Sequence, residues 1–283
     1  MGRREMNAKV FQDTTAFITG SERLTTAVER SRRNQKLIPE KDKIADCRLD
    51  YSEDAGIIVS GKRTLEAASA YADKKVCILN FASATNPGGG VVHGSSAQEE
   101  SLCRCSILYY CLNTPEMMEG FYLPHRRADN PLYNDDLIYT PDVVVIKTDT
   151  SEPVRMREND WYKVNVITCA APNLRKRPSN RMNPNAGSKA ARITGQDLRM
   201  LLESRIRKIF QVAAAEGNEV LILGAFGCGA FQNPPDLVAD VFHDVTLQYR
   251  RKFETIEYAV FHTGRKTENY RAFQNAFREE TLS

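Results

Sequence analysis

The chain has 283 residues, 42% of them hydrophobic and 27% charged, the balance of an ordinary soluble globular protein and not of a disordered or fibrous one. That length is enough for one large domain or two small ones with a substantial core. A formal net charge of +3 is too small to argue for nucleic acid by itself, and no apolar run approaches the roughly 18 residues of a membrane span.

The opening stretch, MGRREMNAKVFQDTT, lacks the apolar segment of a signal peptide. Met6 breaks the myristoylation pattern that Met-Gly begins. A cytoplasmic protein with no membrane partner is the expectation. Seven cysteines without CxxC spacing read as reduced thiols. The four histidines lie far apart, and neither zinc nor iron is suggested.

Residues 1–48 are helical in flavour but too poor in apolar residues for an independent core. They read as an N-terminal helical extension that packs on the main domain or is partly disordered; the main domain then spans 49–283. From about residue 50, buried-strand patterns alternate with helical ones. A short helix is expected at 64–72 (TLEAASAYA) and a strand at 76–82 (VCILNFA). Further strands are expected at 143–148, 164–170, 219–226 and 256–262, all rich in Val and Ile. Their continuous hydrophobicity implies cover on both faces. Between them, 194–217 is the strongest helix signal, with Thr194 three residues before Asp197 as a capping pair and Gly217 as a stop. Helices from Asp236 and from near Thr267 follow. The pattern predicts a three-layer α/β domain with a mostly parallel mixed central sheet.

Two glycine loops follow buried strands. The first, NPGGGVVHGSSAQEE (86–100), sets flexible backbone close to paired carboxylates. Glycine lets a ligand approach the backbone, and successive N–H groups form a cradle for phosphate or another anion. Glu99 and Glu100 at the expected helix start near Gln98 also serve as ordinary capping acids. The second loop, GAFGCGAFQNPP (224–235), resembles the dinucleotide fingerprint only superficially. Gln232 stands where the third glycine belongs, and Pro234 and Pro235 delay the helix. Its glycines suit a diphosphate. Of its two aromatics, Phe226 is expected in the core and Phe231 against a ribose. Ligands of open α/β sheets bind at the carboxyl ends of strands, so one ligand bridging both loops would bring a sugar to Glu99 and Glu100.

With these residues quoted, the sequence resembles the bacterial-type poly(ADP-ribose) glycohydrolases of the macrodomain superfamily. Gly88-Gly89-Gly90, seven residues and then Gln98-Glu99-Glu100 repeat that family's signature. The flanking LNFASATNPGGG and ESLCRCSILYYCL, and the later VITCAAPN and GAFGCGAFQNPP, follow in family order. The likeness runs from about residue 50 to 265. It implies an αβα macrodomain whose cleft holds ADP-ribose, cutting ribose–ribose bonds of poly(ADP-ribose) with no cofactor and no metal.

Position by position, the resemblance implies that Glu100 is catalytic and that Glu99 holds ribose hydroxyls. It places Gly88, Gly89, Gly90 and Gln98 in the catalytic stretch and Asn86 at the distal ribose. Gly227, Cys228, Gly229 and Ala230 form the diphosphate loop, with Phe231 near the ribose. Two other functions stay open: a hydrolase of single ADP-ribose units on protein or nucleic-acid bases, and a non-catalytic ADP-ribose reader. Paired acids beside the sugar argue against the reader. The partners are ADP-ribose and ADP-ribosylated macromolecules, with nucleic acid only as a modified substrate, and the chain is expected to be a monomer.

Four side readings complete the sequence. His93 shapes its loop rather than acting as an acid–base group. Cys228, set among exposed N–H groups, is expected to have a lowered pKa, yet no His is placed to make it a nucleophile. Residues 173–192 form a long surface loop, whose Arg175, Lys176, Arg177 and Arg181 are read as solvated rather than as polymer contacts.

Overall fold

The computed structural model describes residues 2–45, 50–180, 183–264 and 267–280. Two helices open the chain, α1 (Arg3–Thr19) and α2 (Glu22–Arg33). Ser21 caps α2 by accepting from the Leu24 amide, and Arg30, Arg32 and Arg33 fill its last turn, where cations suit the helix dipole. Arg32 also donates twice to the Tyr110 carbonyl. The basic cluster at 30–33 is thereby structural. Leu24 and Val28 are buried, each worth roughly 2 kcal/mol against an exposed position.

The sequence gives no strand signal in the extension, yet Lys36–Ile38 forms strand β1 and pairs antiparallel with β4 (Leu137–Val145). Three residues are too few to show a period. The domain boundary expected at 48/49 lies in 46–49, outside the described residues.

The remaining strands are β2 (Gly56–Ser60), β3 (Val76–Phe81), β5 (Tyr162–Cys169), β6 (Val220–Leu223) and β7 (Thr255–Ala259). The seven-stranded sheet has the order β1-β4-β5-β3-β6-β7-β2. β5, β3, β6, β7 and β2 run parallel, while β4 is antiparallel to both neighbours. The strand expected at 143–148 is therefore the end of a longer strand that starts at Leu137, with a register shift between Thr140 and Val143.

One face of the sheet packs on α8 (Gly195–Ala215), α9 (Pro235–Tyr249) and α10 (Glu268–Ala276). Cys77, Leu79, Ile167 and Leu221 point to that side, and Val76, Ile78, Val166 and Ile222 to the other. The opposite layer holds α1, α2, α3 (Thr64–Ser69), α4 (Gln98–Cys105) and α5 (Leu108–Leu112). It also holds α6 (Pro115–Met117), which runs through the π turn Met118–Tyr122 into α7 (Leu123–Ala128). Period-2 alternation of apolar residues thus serves two cores at once. Among the described residues, no helix is long and apolar enough to cross a membrane.

Two features place the site. First, β3 lies between β5 and β6: the chain runs from β3 to β4 and β5 on one side and then crosses back to β6 on the other, which makes a crevice at the carboxyl ends. The loops after β3, β5 and β6 all emerge there, and the Ile78↔Ile222 pairing sets the two glycine loops side by side. Second, α8 is tied to this end by Arg205, 1% exposed. Its Nε donates to Asp135 Oδ1 at 2.8 Å and its Nη1 to the Ala170 carbonyl at 2.8 Å. The helix itself starts on the expected cap: Thr194 accepts from the Asp197 amide at 3.1 Å.

Candidate active site

The first loop leaves β3 through Ser83 and returns at α4. Gly88 and Gly89 have φ of 65° and 58°, a region open to glycine and costly for other residues. The loop then winds through one 3₁₀ turn, Val91–His93, and Gly94 at φ 73° closes it. Tight packing makes the glycines necessary. A Cβ on Gly89 would lie 2.6 Å from Glu100 Oε1, and one on Gly90 would lie 2.3 Å from Ser95 Oγ.

The amides of this loop are spent inside the protein. Gly89 donates to the Asn86 carbonyl, and Val91, His93, Gly94 and Ser95 donate to carbonyls of the same loop. Gly90 donates to Glu100 Oε1 at 2.9 Å. The sequence suggests a cradle for phosphate or another anion here; in the structure the Gly90 amide meets the protein's own carboxylate, and the other amides named meet carbonyls.

Glu99 and Glu100 stand in the first turn of α4, both buried. Glu99 Oε2 accepts from the Ser83 amide at 2.8 Å, and its Oε1 from Asn80 Nδ2 at 3.3 Å. Burial raises the Glu99 pKa well above the carboxylate range, and the charge of Glu100 adds to the rise. Burial raises Glu100 as well, opposed by the Gly90 amide. Two buried acids on one helical turn cannot both ionise cheaply. Glu100 Oε2 has no hydrogen-bond partner, although Glu100 lines the cleft. Buried carboxylate oxygens without a donor are uncommon.

Gln98 spends its polar atoms on the scaffold. Its Oε1 accepts from the Phe81 amide at 2.9 Å, and its Nε2 donates to the Leu79 and Thr64 oxygens. It holds α4 on β3 as it lines the cleft.

The second loop faces the first. Gly227 has φ 76°, and a Cβ there would lie 2.5 Å from Asn233 Nδ2. Asn233 pins this corner by donating to the Gly227 and Pro172 carbonyls. The amides of Gly227, Gly229, Ala230 and Phe231 donate to no carbonyl among the described residues, and all four residues line the cleft. A Cβ on Gly229 would meet nothing within 4 Å.

The cleft between the loops encloses about 770 Å³, within the range of small-molecule sites. Gly89, Gly90, Gln98, Glu99 and Glu100 meet Gly227, Gly229, Ala230 and Phe231 along it. Asn86, Gly88 and Cys228 stand outside that lining. Asn86 is held by Arg126, which donates to its Oδ1 at 3.0 Å, and by Asn183. Gly88 backs onto Tyr109. Cys228 was expected to carry a lowered pKa; instead burial pushes its thiol up to about 12. Phe226 is buried against Phe81. His93 is exposed and away from the cleft.

Several lining residues carried no signal in the sequence. Phe81, Val260 and Phe261 form an apolar end bordered by Thr64 and Arg63, with the Arg63 guanidinium 3.9 Å over the Phe261 ring. Ser83 lines the wall next to Glu99, and Arg4 of α1 also lines the cleft. The 173–192 loop is not wholly solvated, because Arg175, Asn180 and Asn183 line the cleft. Lys176 and Arg177 are exposed, as expected, and Arg181 lies outside the described residues. Among the described residues, no three His, Cys, Asp or Glu side chains gather as a metal-ligand set.

A mostly parallel seven-stranded sheet with paired glutamates and two glycine loops at its carboxyl end is the architecture of a poly(ADP-ribose) glycohydrolase macrodomain. The family described as "Microbial-type PARG, catalytic domain" matches residues 10–148. The structure of poly(ADP-ribose) glycohydrolase from Thermomonospora curvata is 27% identical, with a TM-score of 0.80 over 97% of this chain and 100% of that one. The Deinococcus radiodurans enzyme in complex with ADP-ribose is 29% identical, with a TM-score of 0.74 over 90% of this chain and 98% of that one. Its T267R mutant is 30% identical over the same shares, with a TM-score of 0.73. No curated protein gives a significant sequence match. The chain belongs to the microbial-type poly(ADP-ribose) glycohydrolase family.

Proposed function

We propose that this chain is a glycohydrolase that binds ADP-ribose and hydrolyses the ribose–ribose bonds of poly(ADP-ribose). The observation that carries the proposal is Glu100: a cleft-lining carboxyl with raised pKa whose Oε2 has no partner. An oxygen so placed is free to give a proton to a bound group.

In the proposed cycle the diphosphate sits over the second loop, on the amides of Gly227, Gly229, Ala230 and Phe231. The base lies toward Phe81, Val260 and Phe261, and the distal ribose reaches Glu99. Ribose hydroxyls donating to Glu99 favour its charged form, which leaves the shared proton on Glu100. Glu100 passes that proton to the departing ribose oxygen as the bond from the anomeric carbon breaks. The oxocarbenium-like centre is then stabilised by the diphosphate of the same ligand. Glu100, now a carboxylate, takes a proton from the incoming water, whose oxygen bonds to the anomeric carbon. The products are free ADP-ribose and a shortened chain.

The test compares wild type with Glu100→Gln on poly(ADP-ribosyl)ated protein. Turnover is expected to fall about 10³-fold, with ADP-ribose affinity kept within about threefold. Release of ADP-ribose only from singly modified protein or DNA would assign the chain to the mono-ADP-ribosyl hydrolases instead. Binding without release from any substrate would make it a reader.

A further inference from the structure

Helix α1 packs on the first glycine loop, touching it directly at one end and through Tyr109 at the other. At one end, Asn7 Nδ2 donates to the Gly94 carbonyl at 3.2 Å, and both groups are buried. A Cβ on Gly94 would lie 1.9 Å from the Arg4 carbonyl oxygen. Helix backbone rests directly on loop backbone there. At the other end, Phe11 meets Tyr109 edge-on, with ring centroids 5.0 Å apart. Tyr109 in turn lies 2.8 Å from where a Gly88 Cβ would be.

A third contact reaches the catalytic helix itself. Thr14 Oγ1 donates to the Arg104 carbonyl at 2.6 Å. The Arg104 guanidinium turns back to the Ser95 carbonyl at 2.5 Å, across the loop's end. Helix α1 is itself fastened from behind. Lys147, 2% exposed, donates to the Val10 carbonyl and pairs with Asp13, each at 2.8 Å. The Asn7 contact falls on the Gly88–Ser95 segment itself, the Phe11 contact backs it through Tyr109, and the Thr14 contact holds the helix that follows it. Ordinary helix docking buries an apolar stripe; here Asn7 is also aimed at the loop and Thr14 at the helix that follows it.

The geometry points to α1 as the back wall of the active site, with Asn7 and Phe11 as positioning residues. They hold the glycine loop so that the Gly90 amide stays on Glu100 Oε1. The inference rests on the reading of Glu100 as proton donor. A loop that drifts loses the Gly90 hydrogen bond, which favours the charged form of Glu100. Loosening it raises the Glu100 pKa further and misplaces the carboxyl. Asn7 and Phe11 do not line the cleft, unlike Arg4 of the same helix, so replacing either one is expected to leave ligand affinity nearly unchanged.

The test uses full-length Asn7→Ala and Phe11→Leu beside wild type. For both variants kcat is expected to fall about tenfold, with the ADP-ribose Kd within about twofold. The alkaline limb of the kcat–pH profile should move to higher pH. Amide exchange over residues 86–97 should quicken while exchange in β3 and β6 stays as in wild type. A purely structural role would lower Tm without moving the pH limb or the Kd-to-kcat split. Folded variants with wild-type loop exchange and wild-type kcat overturn the inference. A wild type inert on the polymer refutes the proposed reaction instead, and the exchange pattern still decides the role of α1.

Discussion

The two glycine loops look alike in sequence and do opposite things with their backbones. In the first, the amides of Gly89, Gly90, Val91, His93, Gly94 and Ser95 are all spent within the protein. In the second, those of Gly227, Gly229, Ala230 and Phe231 have no carbonyl among the described residues. One loop is a finished structure that aims a carboxyl. The other leaves its amides open, as the proposed anion site requires. Glycine content alone does not distinguish an anion cradle from a carboxylate mount; the disposal of the N–H groups does.

That contrast can be broken most severely at Gly89. Gly89→Ala puts a Cβ 2.6 Å from Glu100 Oε1 at a positive φ. Turnover on poly(ADP-ribose) should drop about 100-fold, while calorimetry should find ADP-ribose binding within about threefold of wild type. If affinity falls as far as turnover, the first loop is a ligand cradle after all.

The second loop offers a matched pair. Gly227→Ala must displace Asn233 and strain a φ of 76°, so ADP-ribose affinity should fall about tenfold, equal to roughly 1.4 kcal/mol. Gly229→Ala meets open space and should bind within about twofold of wild type. Equal losses at the two positions would mean that loop geometry does not govern anion binding.

The smallest effect concerns stability. Buried carboxyls with raised pKa bind protons more tightly folded than unfolded. Their contribution is therefore present at low pH and lost as pH rises from the ordinary carboxylate pKa through the folded one. Glu100→Gln removes that loss, since its amide oxygen still accepts from Gly90. Its Tm should exceed wild type by a few degrees at pH 8, with the gap closing toward about pH 4. A constant gap across that range would show that Glu100 titrates normally in the folded chain.

The sequence made the central architecture readable where the signal was long or chemically loud. The apolar runs of β3, β5, β6 and β7 and the capped, periodic α8 are seen in the structure with small shifts at their ends. Glu99 and Glu100 stand beside glycine backbone as the spacing suggested. Short or context-dependent elements were not readable. β1 has three residues, too few for a pattern, and β2 is an edge strand with no fully buried residue. The antiparallel direction of β4 depends on a connection, not on composition. The aromatic-rich stretch holding α5, α6 and α7 is buried on several sides and shows no clean period.

Within the site, the unread residues are those whose roles arise from distant pairing. Asn7 meets Gly94 across 87 positions, and Arg63 after β2 meets Phe261 after the neighbouring β7, distant in sequence though adjacent in the sheet. The Asn86 side chain turns to Arg126 and Asn183, partners that no local motif announces. Hydrogen-bond disposal is a property of the fold, and a motif records only that it has been arranged.

The parallel register of β3 and β6 has a kinetic consequence. Val76↔Val220, Cys77↔Leu221 and Ile78↔Ile222 couple the two loops through adjacent strands of one sheet, with no hinge between them. With both loops on one ladder, the proposed site needs no domain closure before it receives a ligand. Encounter is then expected to set how fast it fills, and occupancy to depend on residence time, on how long the open amides of the second loop keep hold of what has arrived.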